Sequence, residues 1–157
     1  MLVNLKEILE IAKEKGIAIG SFNTPNMTSV KAVISAAEEL GQPVILMHAQ
    51  VHEEMGLCKM EEIAPVMLMF AKAAKVPVCV HLDHGVDLEY LERGLELGFT
   101  SVMYDGSTLS FEENMENTKL VVSFAKQTGA SVEAEIGCMG KRETGSGSVG
   151  GQDPDKV

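Results

Sequence analysis

The stretch Val76-Pro77-Val78-Cys79-Val80-His81-Leu82-Asp83-His84-Gly85 (residues 76–85) decides the fold. It is almost continuously apolar up to Leu82, which is typical of a parallel strand that is covered on both faces. Apolar residues then recur at three- and four-residue spacing over 88–97, which predicts a helix. The stretch therefore indicates one β/α unit, in which a polar turn joins a buried strand to a helix.

The same pattern repeats along the chain. Apolar runs of strand length lie at 17–22, 43–47, 76–82, 100–104 and 131–135, and helical patterns lie at 4–15, 29–40, 60–74, 88–97 and 111–128. This alternation is the signature of a parallel sheet. Eight such units make a barrel of about 250 residues. We therefore predict an α/β fold, a (β/α)8 TIM barrel, of which this chain of 157 residues supplies about the first five units.

A doubly wound sheet is the rival architecture, and it would suit the length of the chain. It would need a phosphate-binding loop after the first strand and a helix after the last one. The first turn, residues 20–26, is not a GxGxxG sequence, and residues 137–157 are rich in Gly and Ser without a helical pattern. We therefore favour a single domain over 1–157 that is the amino-terminal part of a barrel, with 138–157 as a mobile loop or tail.

Composition excludes several classes of function. The formal net charge of −10 argues against nucleic-acid and anionic membrane partners, because both require clustered Lys and Arg. Cys58, Cys79 and Cys138 form no CxxC pair and are odd in number, so a disulfide framework is not expected and a reducing cytoplasm fits best. No run approaches the length of a membrane span.

Polar side chains follow each predicted strand at its carboxyl end, which is the catalytic face of a barrel. They are Ser21 and Asn23, His48 and Gln50, His81, Asp83 and His84, Tyr104, Asp105 and Ser107, and Glu133 and Glu135. The sharpest group is Asp83-His84, because a neutral His ligates a borderline metal and an adjacent carboxylate can reach a substrate held there. Taken alone, Asp83 would be a capping residue and Asp105 a turn residue before Gly106.

Two further features were weighed at these strand ends. Two carboxylates that point into a barrel mouth are costly without a cation or hydrogen-bond donors, which favours a function for Glu135 beside Glu133. His48 and His52 lack the spacing of a helical metal pair, and we interpret them as exposed loop residues without a role.

With these residues assembled, the chain resembles the class II fructose-bisphosphate and tagatose-bisphosphate aldolases over essentially its whole length. The resemblance is carried by Gly20-Ser21-Phe22-Asn23, Val78-Cys79-Val80-His81-Leu82-Asp83-His84-Gly85, Ser101-Val102-Met103-Tyr104-Asp105-Gly106-Ser107 and Ser131-Val132-Glu133-Ala134-Glu135-Ile136-Gly137. It implies that Asp83 moves the proton of the substrate's C4 hydroxyl and that His84 is a ligand of a catalytic Zn²⁺. It also implies that Asp105 and Glu135 serve an alternate or neighbouring metal position, with room for a second divalent or monovalent cation.

The resemblance further implies a sugar-phosphate substrate, contacted by Asn23 near the cleaved bond. Glu143 lies where a mobile-loop glutamate of the family assists proton transfer. The full-length enzyme is expected to be a cytoplasmic homo-oligomer, a dimer or a tetramer. The chain departs from many relatives at His48-Ala49-Gln50, where they carry a substrate-binding Ser, so the ketose epimer stays open.

The family's other zinc histidines and phosphate loops belong to later strands, so we expect the chain by itself to be incomplete as an aldolase. Two alternatives also remain at this stage: a non-catalytic sugar-phosphate-binding module, and a metal-dependent hydrolase on a similar barrel.

Overall fold

The protein was analysed as a computed structural model that describes residues 1–137. Its elements in chain order are β1 (Leu2–Val3), α1 (Leu5–Lys15), β2 (Gly20–Asn23), α2 (Met27–Leu40), β3 (Val44–Ala49), α3 (Gln50–Glu54), α4 (Met60–Ala73), β4 (Val78–Gly85), α5 (Leu88–Leu97), β5 (Ser101–Tyr104), α6 (Phe111–Thr128) and β6 (Ser131–Ala134). All five predicted strands and all five predicted helices are present. The strand β1 and the helix α3 were not predicted, so the sheet has six strands rather than five within residues 1–137.

The sheet is parallel throughout, and its main path runs β2-β3-β4-β5-β6 in the order of the chain. The additional strand β1 pairs with the beginning of β4. A doubly wound sheet reverses its strand order at a switch point, and the described residues contain no such reversal. The doubly wound alternative is therefore not observed.

The two faces of the sheet bury different cores. On one face Leu46, Val80 and Val102 pack with α2, α4, α5 and α6 in the main core. On the other face Ile45 and Cys79 pack against Ile8 of α1. We call this second face the inner face. Because α1 covers its amino-terminal end, the carboxyl end of the inner face is left for polar side chains.

Caps fix where the helices begin and end. The Asn4 side chain accepts a hydrogen bond from the Glu7 amide, and the Asn4 amide donates one to the Glu7 carboxylate. The two residues thus form a capping box. Gly41, Gly98 and Gly129 end α2, α5 and α6 in the left-handed region. Short, well-defined connections result, and these hold the strand ends at one edge of the sheet.

Two other glycines bring α5 close to β4. A side chain at Gly94 would place its Cβ 2.5 Å from Leu82 and 3.3 Å from the sulfur of Met60. A side chain at Gly85 would overlap Leu91. Helix α5 therefore packs on the end of β4 through two positions at which the residue has no side chain.

His48 and His52 are buried rather than exposed, so their interpretation as exposed loop residues was wrong. His48 belongs to β3 on the helix-covered face, where its Nε2 lies 3.1 Å from the Tyr90 hydroxyl and its Nδ1 lies 3.7 Å from the Cys58 sulfur. His52 in α3 accepts a hydrogen bond from the Ala49 amide. The sequence pattern did not predict a helix at 50–54. The burial of His52 could therefore not be inferred from the sequence.

The outer edge of the sheet at β2 is uncovered within the described residues. Every residue of β2 is exposed, and Phe22 is 49% exposed. A groove of about 600 Å³ lies beside it, lined mainly by apolar side chains of α2 and of the segment before β3, including Val33, Leu40 and Pro43. None of the helices in residues 1–137 is long and apolar enough to cross a membrane.

We expect this edge to make the 157-residue chain self-associate when it is studied alone, because an unpaired strand beside an apolar groove is a template for pairing. Sedimentation velocity should show species larger than a monomer. Phe22→Lys should shift them toward monomer, whereas Leu9→Lys, at a residue that is 50% exposed on α1, should not. A monomer with a cooperative thermal transition at all concentrations would contradict the expectation.

His48 should make stability depend on pH. Burial, followed by repulsion from His52, lowers the pKa of His48 from 6.5 to about 4. The unfolded chain therefore binds a proton at a higher pH than the folded chain, so the stability is complete above pH 6.5 and falls as the pH drops toward 4, by at most about 3 kcal/mol. In urea unfolding at equal protein concentration, His48→Gln should lose less stability than the parent over this range. Equal pH dependence of the two proteins would refute the prediction.

Candidate metal and catalytic site

A β-bulge at the end of β4 creates the site. Leu82 faces Val102 and Gly85 faces Tyr104, so two residues of β4, Asp83 and His84, occupy the interval that one residue of β5 fills. His84 has a φ of 42°, in the left-handed region that residues other than glycine seldom adopt. The bulge re-aims His84 so that it faces the same opening as Asp83.

The side chains of this pair do not diverge. Neighbouring residues at the end of a regular strand would point in different directions. Instead the Oδ1 atom of Asp83 lies 4.0 Å from the Nε2 atom of His84. The two side chains therefore converge, since the bulge breaks the alternation of the strand.

The three predicted metal ligands come together at this opening. His84, Asp105 and Glu135 each offer one ligand atom, and these atoms lie within 4.8 Å of one another. The Nδ1 atom of His84 is 3.3 Å from Asp105 Oδ2 and 4.0 Å from Glu135 Oε2. One imidazole and two carboxylates form a donor set that suits Zn²⁺ and other divalent cations of the first transition series.

Charge at the opening is strongly negative. Partial burial alone would lower the pKa of His84, but the carboxylates of Asp83, Asp105 and Glu135 outweigh it and raise that pKa. Burial would raise the pKa of Asp105, but two hydrogen bonds from Ser107 and the contact with His84 lower it. The carboxylates thus favour positive charge at this opening, and a metal cation can supply that charge in place of a proton on His84.

Neighbouring residues hold the carboxylates in place. The amide and the hydroxyl of Ser107 both donate to Asp105 Oδ1, the amide at 3.1 Å. The buried Asn114 of α6 donates its Nδ2–H to the backbone carbonyl of Glu135 at 2.8 Å. No side chain fits at Gly106, because its Cβ would overlap Asn114. The ends of β5 and β6 are therefore tied to α6.

A second polar group lies beside the first on the inner face. Its members are His81, Ser101, Asp83 and Glu133. His81 is buried, its Nδ1 is 2.9 Å from the Ser101 hydroxyl, and its Nε2 lies 3.7 Å from Asp83 Oδ1 and 3.5 Å from Glu133 Oε2. Asp83 thus stands between the two histidines.

The other predicted site residues are placed differently. Asn23 is exposed at the end of β2 and aligns with Met47, which in turn aligns with His81, so it lies in the same row of the inner face. Glu143 and the segment 138–157 lie outside the described residues, and their predicted roles stay predictions.

The sequence alone gave no role to four residues that support the site: His81 and Gln50, which it placed at strand ends, and Ser101 and Asn114, which it did not single out. Gln50 begins α3, and its Oε1 accepts hydrogen bonds from the amides of Val86 at 3.0 Å and Asp87 at 3.4 Å, which braces the loop after the bulge. The alternation of β4 would have placed His81 on the face of Asp83. Nothing in the sequence indicated the contact of Asn114 or of Gln50.

Comparison of the chain with known proteins shows which family it belongs to. Residues 3–156 fit the family model described as fructose-bisphosphate aldolase class-II. The chain belongs to this family.

Several relatives illustrate the match. The chain is 43% identical over 143 residues to a probable fructose-bisphosphate aldolase of Bacillus subtilis, covering 90% of this chain and 50% of that protein. It is 40% identical over 139 residues to a sulfofructosephosphate aldolase of Alkalicoccus urumqiensis, covering 88% and 47%. The chain therefore spans about half the length of the curated relatives that it matches.

Solved structures agree with the sheet seen here. The YdjI aldolase of Escherichia coli K12 superposes with a TM-score of 0.79 at 37% identity, over 87% of this chain and 51% of that one. A fructose-bisphosphate aldolase of Campylobacter jejuni gives a TM-score of 0.73 at 26% identity, over 90% and 48%. The six-stranded parallel sheet is therefore that of a class II aldolase.

We expect the metal group to bind a divalent cation through His84. His84→Ala and Asp105→Asn should each weaken Zn²⁺ binding by at least ~10–100-fold, because each removes a donor from the group. Isothermal titration with Zn²⁺ would measure this. Glu10→Gln, an exposed carboxylate of α1, is the matched control and should bind as the parent does. Unchanged affinity in His84→Ala would exclude the group as the binding site.

Proposed function

We propose that the chain is the amino-terminal part of a class II, metal-dependent ketose-bisphosphate aldolase. Its reaction would be the reversible cleavage of fructose 1,6-bisphosphate, or tagatose 1,6-bisphosphate, to dihydroxyacetone phosphate and glyceraldehyde 3-phosphate. The observation that carries the proposal is the convergence of Asp83 with the group of His84, Asp105 and Glu135, in a chain of this family.

The proposal includes a closed (β/α)8 barrel. The strand order of the sheet and the uncovered edge at β2 support it, since a barrel wall keeps the order of the chain and closes on its first strand. The remaining β/α units would supply the other zinc histidines and the phosphate-binding loops. We also propose that the full-length enzyme is a homo-oligomer, a dimer or a tetramer.

The donor set supports Zn²⁺ as the cofactor, held by His84 with Asp105 and Glu135 at an alternate or neighbouring position, where a second cation has room. A metal bound by these residues would supply Lewis-acid chemistry at the ketone oxygen of the substrate, where negative charge develops as the carbon–carbon bond is cleaved. The two carboxylates favour a cation at the opening. Because the protein carries a net charge of −10, an anionic sugar phosphate needs such a local positive centre.

Asp83 would take the proton from the C4 hydroxyl as the bond breaks and return it in the reverse direction. Its side chain is 22% exposed, so it reaches the opening while most of it is packed. It is not part of the group of three ligand atoms. These features suit a general acid/base that serves the substrate and not the metal.

Two further residues complete the proposed machinery. Asn23, exposed on the inner face, would contact the substrate near the cleaved bond. Glu143 would assist proton transfer from the segment that follows β6.

The relatives of this chain point to more than one ketose phosphate as the substrate. Two similar proteins carry different names, one a fructose-bisphosphate aldolase and one a sulfofructosephosphate aldolase. Gln50, at the end of β3, braces the loop after β4. We therefore propose that fructose 1,6-bisphosphate, tagatose 1,6-bisphosphate and a sulfofructose phosphate be compared directly as substrates.

The roles of Asp83 and His84 can be separated in a full-length barrel that contains residues 1–157. Asp83→Ala should keep its zinc and lose ~10²–10⁴-fold in turnover, the usual cost of losing a general acid/base. His84→Ala should lose both zinc and cleavage. Zinc content by mass spectrometry and the retro-aldol rate measure the two effects, with Glu10→Ala as the control.

Loss of zinc in Asp83→Ala to the same extent as in His84→Ala would contradict these roles. Near-normal cleavage by Asp83→Ala would do so as well. A protein that binds sugar phosphate without cleaving it would support a binding module in place of an aldolase.

A further inference from the structure

His81 is a buried histidine that the proposed reaction does not use. It lies in β4 two residues before Asp83, so both side chains project from the inner face. It is 3% exposed, although it has two carboxylates beside it and a strand end open to solvent above it. A histidine in this position needs an explanation beyond the filling of space.

The polar groups around the ring favour one of its tautomers. The Nδ1 atom lies 2.9 Å from the Ser101 hydroxyl, which can either donate or accept. The Nε2 atom faces Asp83 Oδ1 at 3.7 Å and Glu133 Oε2 at 3.5 Å. A lone pair on Nε2 would be repelled by these oxygens, whereas an N–H is attracted. The favoured arrangement is therefore a Ser101 hydroxyl that donates to Nδ1 and an Nε2–H that points at the carboxylates.

The two carboxylates are not equal partners. Glu133 belongs to β6, the last strand of the described residues, and its longer side chain is 47% exposed. Asp83 is short, 22% exposed, and attached to the same strand as His81. Both distances exceed the length of a hydrogen bond, so the Asp83 carboxylate has to rotate toward Nε2 for one to form.

We propose that His81, held by Ser101, is a positioning residue that orients the Asp83 carboxylate through its Nε2–H. This inference rests on the proposed function, because it assigns a partner to the proposed acid/base. The Asp83 carboxylate has His84 on its other side, with Nε2 at 4.0 Å. A donor at His81 keeps the Asp83 oxygen from turning toward His84 when that residue binds a metal, and so keeps the carboxylate available for the substrate.

Two substitutions separate positioning from packing. In His81→Asn the side chain can reach the Ser101 hydroxyl but has no donor at the position of Nε2. In His81→Gln the side chain carries an amide donor near the position of Nε2 but cannot accept a hydrogen bond from Ser101 as the imidazole does. If His81 positions Asp83, His81→Asn should lose roughly 10–100-fold in kcat with zinc content and KM kept, and His81→Gln should recover part of it. A purely structural histidine would change the thermal midpoint in both variants without this difference in kcat.

The ring itself gives a second measurement that does not depend on turnover. In a full-length barrel with ¹⁵N-labelled histidine, two-bond ¹H–¹⁵N spectra should show Nε2 of His81 protonated and Nδ1 unprotonated, with the signals assigned by their loss in His81→Asn. Ser101→Ala should mix the tautomers and lower kcat. Ser123→Ala, an exposed serine of α6, makes the same chemical change elsewhere and should alter neither.

Each outcome decides the proposal. A protonated Nδ1, in the other tautomer or in an imidazolium, overturns it, and so does a kcat in His81→Asn equal to that in His81→Gln. If His81→Asn does not fold, the Ser101→Ala pair of measurements decides alone. A parent protein that cleaves no ketose phosphate would defeat the proposed function, while the tautomer would still show whether His81 directs a donor at Asp83.

Discussion

The pairing of β4 on both of its edges is the constraint on which the rest of the structure depends. Along one edge β4 is in register with β3 from Val78 to Asp83, and along the other it pairs with β1 and then with β5. A strand held on both sides cannot shift its register without turning its buried side chains outward. The extra residue at the end of β4 is therefore forced into a bulge, and the bulge brings Asp83 and His84 to one opening.

Much of this fold follows from local sequence. Apolar runs predict strands because both faces of a parallel sheet are buried, and Asn4, Gly41, Gly98 and Gly129 mark helix ends by caps that act within one turn. The elements that were missed are short. β1 has two residues and α3 has five, so neither offers a period, and tertiary contacts alone stabilise them.

The proximity of the three predicted metal ligands could be inferred from the sequence, but the geometry of the site could not. Strand ends meet at one edge, which was enough to place His84, Asp105 and Glu135 near each other. The bulge depends on the register between β4 and β5, which a single sequence does not contain. The contacts of His81 with Ser101, and of Asn114 with the carbonyl of Glu135, depend on the same long-range pairing. The burial of His48 depends on α3 and Tyr90, and no sequence pattern near residue 48 predicts these contacts.

The glycines under the bulge bear on how such a site can be redesigned. Gly85 and Gly94 leave no space for a side chain between β4 and α5. A library that searches for new sugar specificity and randomises these two positions would therefore displace Leu91 or Leu82 in every member that carries a side chain there. Asn23, Ala49 and Gln50 stand at the carboxyl ends of β2 and β3 or directly after them, and Asn23 is exposed. In evolutionary terms, substitutions that change the substrate are expected to accumulate at the ends of β2 and β3 rather than at the glycines between β4 and α5.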